Sequence, residues 1–150
     1  MWHLSVDSGQ WENDSLWWVV VVALFTGCGG GDTEKLAPVV GKVTVNGGVL
    51  ASGSVTFHPD VAKGNLTSHI PVGSIDSNGN YKLMSSTQEG APLGWYKVTV
   101  AAQEPIDPKN PYAPPKHVID PKFSDPGSSG LELEVVATPR SGAYDIKLAK

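Results

Sequence analysis

Gly94-Trp95-Tyr96-Lys97-Val98-Thr99-Val100 decides the fold class. Tyr96, Val98 and Val100 alternate with Trp95, Lys97 and Thr99, and a period of two gives a strand one buried face and one wet face. The same alternation recurs on both sides of this stretch. Val43 and Val45 alternate with Lys42 and Thr44, Val55 and Phe57 with Ser54, Thr56 and His58, and Tyr81 and Leu83 flank Lys82. Downstream, Leu131, Leu133 and Val135 alternate with Glu132 and Glu134, and Tyr144, Ile146 and Leu148 with Asp145 and Lys147. With a further strand near Val72–Ile75, seven strands are predicted. Beyond Gly41 no stretch free of Gly and Pro is longer than ten residues, shorter than a mean helix of about 11–12 residues but ample for strands. Asn46-Gly47-Gly48 and Asp76-Ser77-Asn78-Gly79-Asn80 stand between predicted strands, where Gly and Asn admit the positive φ of tight hairpins. The expectation is an all-β, antiparallel seven-stranded β-sandwich.

The first 28 residues have a different character. Leu16 to Phe25 form an uncharged apolar block of ten residues, too short for a bilayer span of about 20 residues but matching the apolar region of a secretory signal. The block is followed by Thr26-Gly27-Cys28 and then by Gly29, Gly30, Gly31 and Asp32. This resembles the lipobox of bacterial lipoproteins, in which small residues precede a cysteine at the end of the apolar block. The resemblance implies a signal-peptide helix over 1–27, cleavage before Cys28, and diacylglycerol and acyl groups on the Cys28 thiol, with 28–37 as a lipidated tether. Two features depart from the pattern. Residues 1–15 hold Asp7, Glu12 and Asp14 and no Lys or Arg, and Phe25 stands where Leu is usual. A misassigned start codon accounts for the acidic lead. The other reading of this region is a buried apolar segment with a small core cysteine. Cys28 is the only cysteine, so no internal disulfide is available. Two acyl chains at about 0.8 kcal/mol per buried methylene would hold the chain by on the order of 20 kcal/mol.

The net charge of -4 removes the basic footprint that nucleic-acid phosphates demand. No Gly-x-Ser-x-Gly elbow, phosphate-binding loop or His-Glu-x-x-His helix is present. His58, His69 and His117 stand at no metal-ligand spacing, and a calcium loop starting at Asp76 would need Gly at its sixth position and Glu at its twelfth, where Tyr81 and Thr87 stand. The expectation is therefore a non-enzyme without metal or cofactor. The connection 105–130 is long, Pro-rich and without period, and such connections serve as functional loops or straps. It carries Tyr112, Lys116, His117 and Phe123, which read either as a binding lip or as a strap anchored by Tyr112 and Phe123. Trp95 beside Lys97 and Thr99 reads as a sugar-stacking platform or as cross-strand packing.

Gly41–Gly47, Ser54–Phe57, Ile75–Tyr81 and Gly94–Val100 together resemble the carboxypeptidase regulatory-like domain over about 38–102, with 131–148 as closing strands. The resemblance implies a transthyretin-like (prealbumin-like) sandwich over 38–150, of a kind found in small bacterial lipoproteins with a similar Pro-rich insert and a segment like Pro121–Pro126. Some transthyretin-like proteins are purine-pathway hydrolases with clustered His and Arg and a C-terminal Tyr-Arg-Gly-Ser. Here Arg140 is the only arginine and the chain ends Ile146-Lys147-Leu148-Ala149-Lys150. The expected function is a membrane-anchored, extracytoplasmic envelope protein for structural or adhesive contacts with an envelope protein or glycan. The alternative is an accessory module holding glycan or peptide with the 105–130 loop and Trp95. Gly29, in place of the Asp retention signal of some bacteria, points to the outer membrane.

Overall fold

The computed structural model describes residues 34–104, 108–114 and 116–149. The expected signal-peptide helix, the apolar block and Cys28 lie outside the described residues. The strands are β1 (Leu36–Ala37), β2 (Val40–Val45), β3 (Gly48–Val49), β4 (Gly53–Pro59), β5 (Val72–Ile75), β6 (Asn80–Lys82), β7 (Met84–Ser85), β8 (Gln88–Glu89), β9 (Ala91–Pro92), β10 (Gly94–Ala101), β11 (Leu131–Val135) and β12 (Ile146–Leu148). Among the described residues the helical elements are two 3-10 turns, Val61–Lys63 and Pro121–Ser124. The fold is all-β.

One curled sheet has the main path β11-β10-β4-β5-β6-β2-β12; six of these strands are segments that alternation marks, and β5 is the further strand expected near Val72–Ile75. The pairings are antiparallel apart from β2 with β12, which run parallel. Register explains the core. Val98 faces Phe57 on one side and Leu131 on the other, and Val100 faces Val55. Inward side chains of neighbouring strands therefore stack in rows, the cross-strand unit of sheet stability. β5 meets β6 at Ile75 and Tyr81 and, in the same register, β7 at Val72 and Met84, so this join leads from the stretch β11-β10-β4-β5 to the stretch β6-β2-β12. Side chains from both stretches, among them Val55, Phe57, Tyr96 and Val98 on one side and Val43, Tyr81, Ile146 and Leu148 on the other, share one core cluster.

Two local devices hold the sheet in this shape. Asn46 and Gly47 both take positive φ (49° and 83°), the signature of the tight turn that joins β2 to β3. Gly41 lets β2 pass close to the backbone at Tyr144: a Cβ there would collide with the Tyr144 carbonyl and the Tyr81 ring. That carbonyl accepts the Tyr81 hydroxyl at 2.6 Å. The Tyr144 hydroxyl in turn accepts the Val136 N–H at 3.2 Å, so the two tyrosines join the chain near β6, β11 and β12. Burial pushes the Tyr81 phenol well above its ordinary pKa, with the Asp145 and Tyr144 charges adding to the effect.

Four expectations are corrected. Leu36 and Ala37, expected in the tether 28–37, form β1 against Pro92 and Ala91. Small Ala37 and Ala91 are both buried in that ladder, so the domain takes its first strand from the expected tether. Tyr144 is buried but precedes β12, because its backbone lies in the turn that the Asp145 N–H closes onto the Gly142 carbonyl at 3.1 Å. Thr99, read as wet, is buried with its hydroxyl 3.1 Å from His58 Nε2. Tyr112, read as an anchor of the strap, is 95% exposed.

Candidate functional site

The outward faces of β4, β10 and β11 hold the densest set of polar side chains around Trp95. Trp95 stands opposite Glu134, Lys97 between Glu132 and His58, and Thr99 opposite Thr56. Asp60 shapes the next element. Its carboxylate accepts the Ala62 N–H at 3.1 Å and caps the 3-10 turn that presents Lys63. Lys63 Nζ then lies 4.1 Å from the centroid of the Trp95 ring and pairs with the Glu132 carboxylate. One face of the indole is thus occupied by an ammonium group, in a cation–π contact. Asn65, buried behind this turn, donates to the Trp95 carbonyl at 2.9 Å, and the Asp60 N–H donates to the same oxygen at 2.9 Å. Trp95 is therefore fixed from the backbone outward.

On the same face, desolvation by burial lowers the pKa of His58, which keeps the imidazole neutral beside the Thr99 hydroxyl. Lys97, Leu131 and Glu132, together with Pro126, Gly127, Ser129 and Gly130, line a cleft of about 110 Å³. Small-molecule sites run to about 300–1,000 Å³, so this cleft holds a few waters or one small polar group.

The insert is a strap with two buried apolar side chains. Ile119 and Phe123 are buried, Asp120 caps the Pro121–Ser124 turn by accepting the Lys122 N–H at 3.0 Å, and the Ser124 hydroxyl donates to the Val100 carbonyl at 3.3 Å. The backbone hydrogen bonds of Lys122 hold the Asp120 carboxyl below its ordinary pKa. Phe123, a candidate for ligand contact, is only 6% exposed and its ring lies 4.9 Å from its neighbour Lys122 Nζ. Lys116 Nζ is 3.8 Å from Glu104, and His117 forms a backbone bridge to Gln103. Tyr112, Lys116 and His117 thus share one exposed segment. Trp95 is elsewhere: it opens β10, whereas Gln103 lies past the strand's other end. Eight residues at about 3.3 Å each put roughly 25 Å between them. The structure does not bring Trp95 and the exposed insert segment together.

The Asp76–Asn80 segment is a hairpin turn. Asp76 Oδ1 accepts N–H groups of Asn78 and Asn80 at 2.8 and 2.9 Å, which lowers the carboxyl pKa, the Asn80 backbone bond foremost. Among the described residues no three His, Cys, Asp or Glu side chains gather as a metal site. The residues that sequence reasoning missed here are Lys63 and Glu132. Glu132 was legible only as the wet half of an alternation, and its partner 69 positions away had no local signal. No family model, curated protein or solved structure matches this chain.

Proposed function

We propose that this chain is a lipid-anchored, non-enzymatic protein of a bacterial cell envelope, displaying a transthyretin-like seven-stranded sandwich for structural or adhesive contacts. The observation that carries the reading is the spacing at the domain's entrance. The apolar block ends at Phe25 and is followed by Thr26-Gly27-Cys28, and eight residues after Cys28, at Leu36, the first strand of the β domain begins. A thiol placed after an export-type block and just before a folded domain is where a covalent lipid tethers without disturbing a core. In this reading Cys28 carries diacylglycerol and acyl groups, and the tether is 28–33.

The sandwich reading draws on the strand path. The β5–β6 hairpin joins the stretches β11-β10-β4-β5 and β6-β2-β12, and both contribute to one core as packed layers do. The non-enzymatic reading draws on the polar face around Trp95. Lys63 is engaged by Glu132 and the indole, and the Thr99 hydroxyl that faces His58 at 3.1 Å belongs to a buried residue, out of a substrate's reach.

The test is the intact mass of the protein taken from the host membrane fraction, beside a Cys28→Ala variant. A chain starting at Cys28 with added acyl mass, absent from the variant, is expected. An unmodified full-length chain in the soluble fraction overturns the reading.

A further inference from the structure

Three contacts fix where the chain enters the domain. The Glu34 carboxylate accepts the Thr67 hydroxyl at 2.6 Å and lies 3.8 Å from His69 Nε2, and Leu36 stands in register opposite Pro92. Each of these partners has an apolar neighbour in sequence that faces water. Leu66 beside Thr67 is 81% exposed, Ile70 beside His69 is 54% exposed, and Leu93 beside Pro92 is 42% exposed. The two segments that carry them are joined, because Asn65 donates to the Trp95 carbonyl. The exposed apolar surface continues from Ile70 to Val72 and on to Met84, its register partner on β7. Apolar groups gathered at one end of a domain mark an interaction surface rather than scatter.

We infer that this end of the domain is a membrane-contact face, seated on the bilayer that holds Cys28; the inference rests on the anchor reading above. The tether decides the occupant. From Cys28 to Glu34 is six steps of chain, about 20 Å when fully extended at 3.3–3.6 Å per residue. As a flexible chain those steps average roughly 13 Å. The entry point is thus held within about 20 Å of the acyl chains, and the residues around it meet the headgroup layer at every approach. A soluble partner would have to enter the same narrow gap. Leucine and isoleucine side chains suit burial at the boundary between headgroups and acyl chains, and Lys35, exposed at the entry, adds a positive charge toward lipid phosphates. The turn at Ser77 lies toward the opposite end, since Ile75 pairs with Gly53 and the neighbouring Ser54 with Ala101 at the far end of β10.

The experiment uses the mature lipoprotein in vesicles of phosphatidylethanolamine and phosphatidylglycerol. Lipidation consumes the only native thiol, so Leu66→Cys, Ile70→Cys, Leu93→Cys and Ser77→Cys each take one environment-sensitive fluorophore. A blue shift and loss of emission to spin-labelled lipid at 66, 70 and 93, with neither at 77, are expected. In a Leu66→Glu/Ile70→Glu chain, still lipidated and still sedimenting with vesicles, the label at 93 should lose its blue shift. Added acyl mass with all four labels equally wet overturns the contact face alone. Labels shielded from water but untouched by the lipid quencher, in a protein that scatters light as a dimer, overturn it in favour of a second copy. A chain without acyl mass overturns the anchor reading and this inference with it.

Discussion

Phe123→Ala separates a strap from a free loop. Phe123 is 6% exposed beneath the 105–130 connection, with Ile119 buried four residues earlier and the Ser124 hydroxyl bonded to the Val100 carbonyl. Truncating a buried phenylalanine costs about 3–5 kcal/mol. The low end applies here, because strap backbone settles into a gap more easily than paired strands do. A loss of about 3 kcal/mol is a large share of the roughly 5–15 kcal/mol that holds a domain together. At about 4 °C per kcal/mol for a domain of this size, the midpoint of thermal unfolding should fall by roughly 12 °C. Tyr112→Ala is the matched control. Tyr112 is 95% exposed in the same connection, and its removal should leave stability within about 0.5 kcal/mol of the parent. The assay is urea unfolding of the full chain followed by far-UV circular dichroism, with thermal melts alongside. Equal midpoints for the parent and Phe123→Ala would refute the strap, and so would a Tyr112→Ala loss as large as that of Phe123→Ala.

Three further outcomes are expected. Tyr81→Phe leaves the buried Tyr144 carbonyl without its 2.6 Å donor and should cost about 1–3 kcal/mol in urea unfolding; no measurable change would show that the bond is dispensable. Gly41→Ala drives a methyl group into that same carbonyl and the Tyr81 ring and should cost at least about 1–3 kcal/mol, with the loss read as a lower urea midpoint; an unchanged midpoint would contradict the close approach. Burial lowers the His58 pKa from 6.5, so as pH falls the unfolded chain takes the proton first. The associated stability is whole above the unfolded pKa of 6.5 and drains as pH drops through it toward the folded value. Urea midpoints at about pH 7 and pH 5.5 should therefore differ more for the parent than for His58→Gln, and identical differences would remove His58 as the cause.

Six of the seven strands on the main path were legible because each carries a side-chain alternation that burial alone can produce, from Lys42-Val43-Thr44-Val45 to Ile146-Lys147-Leu148, whereas β5, Val72-Gly73-Ser74-Ile75, has none. The turns were legible for the same local reason: positive φ at Asn46 and Gly47 leaves few residue choices. The two-residue strands β1, β3, β7, β8 and β9 escaped notice because a pair of residues has no period to read. Thr99 misled because threonine in an alternating strand looks wet, whereas His58 from the next strand covers it. The tether boundary misled for a related reason: Leu36-Ala37 gains its strand partner 55 residues away at Ala91-Pro92, which no local pattern announces. The same limit hid the Lys63–Trp95–Glu132 cluster, a product of register between distant strands.

The long strand β10 gives the proposed anchor a direction. Trp95 and Leu93 stand at its first end, together with the Thr67–Glu34 contact that fixes the chain entry. Gln103, bridged to His117, stands past its other end, roughly 25 Å away by strand rise. If Cys28 carries the proposed lipid, the pull falls on the first end through Glu34, and the proposed apolar contact by Leu66, Ile70 and Leu93 would hold that end down. The exposed segment with Tyr112, Lys116 and His117 would then face away from the bilayer, toward the proposed envelope partner. Polar side chains there, Lys116 with Glu104 among them, suit a surface that stays in water. Apolar exposure at the entry suits one that does not. In this reading the two ends divide the work of holding and meeting, and exchanging their side chains, Leu66→Lys with Lys116→Leu, should weaken vesicle contact at the first end without creating it at the second.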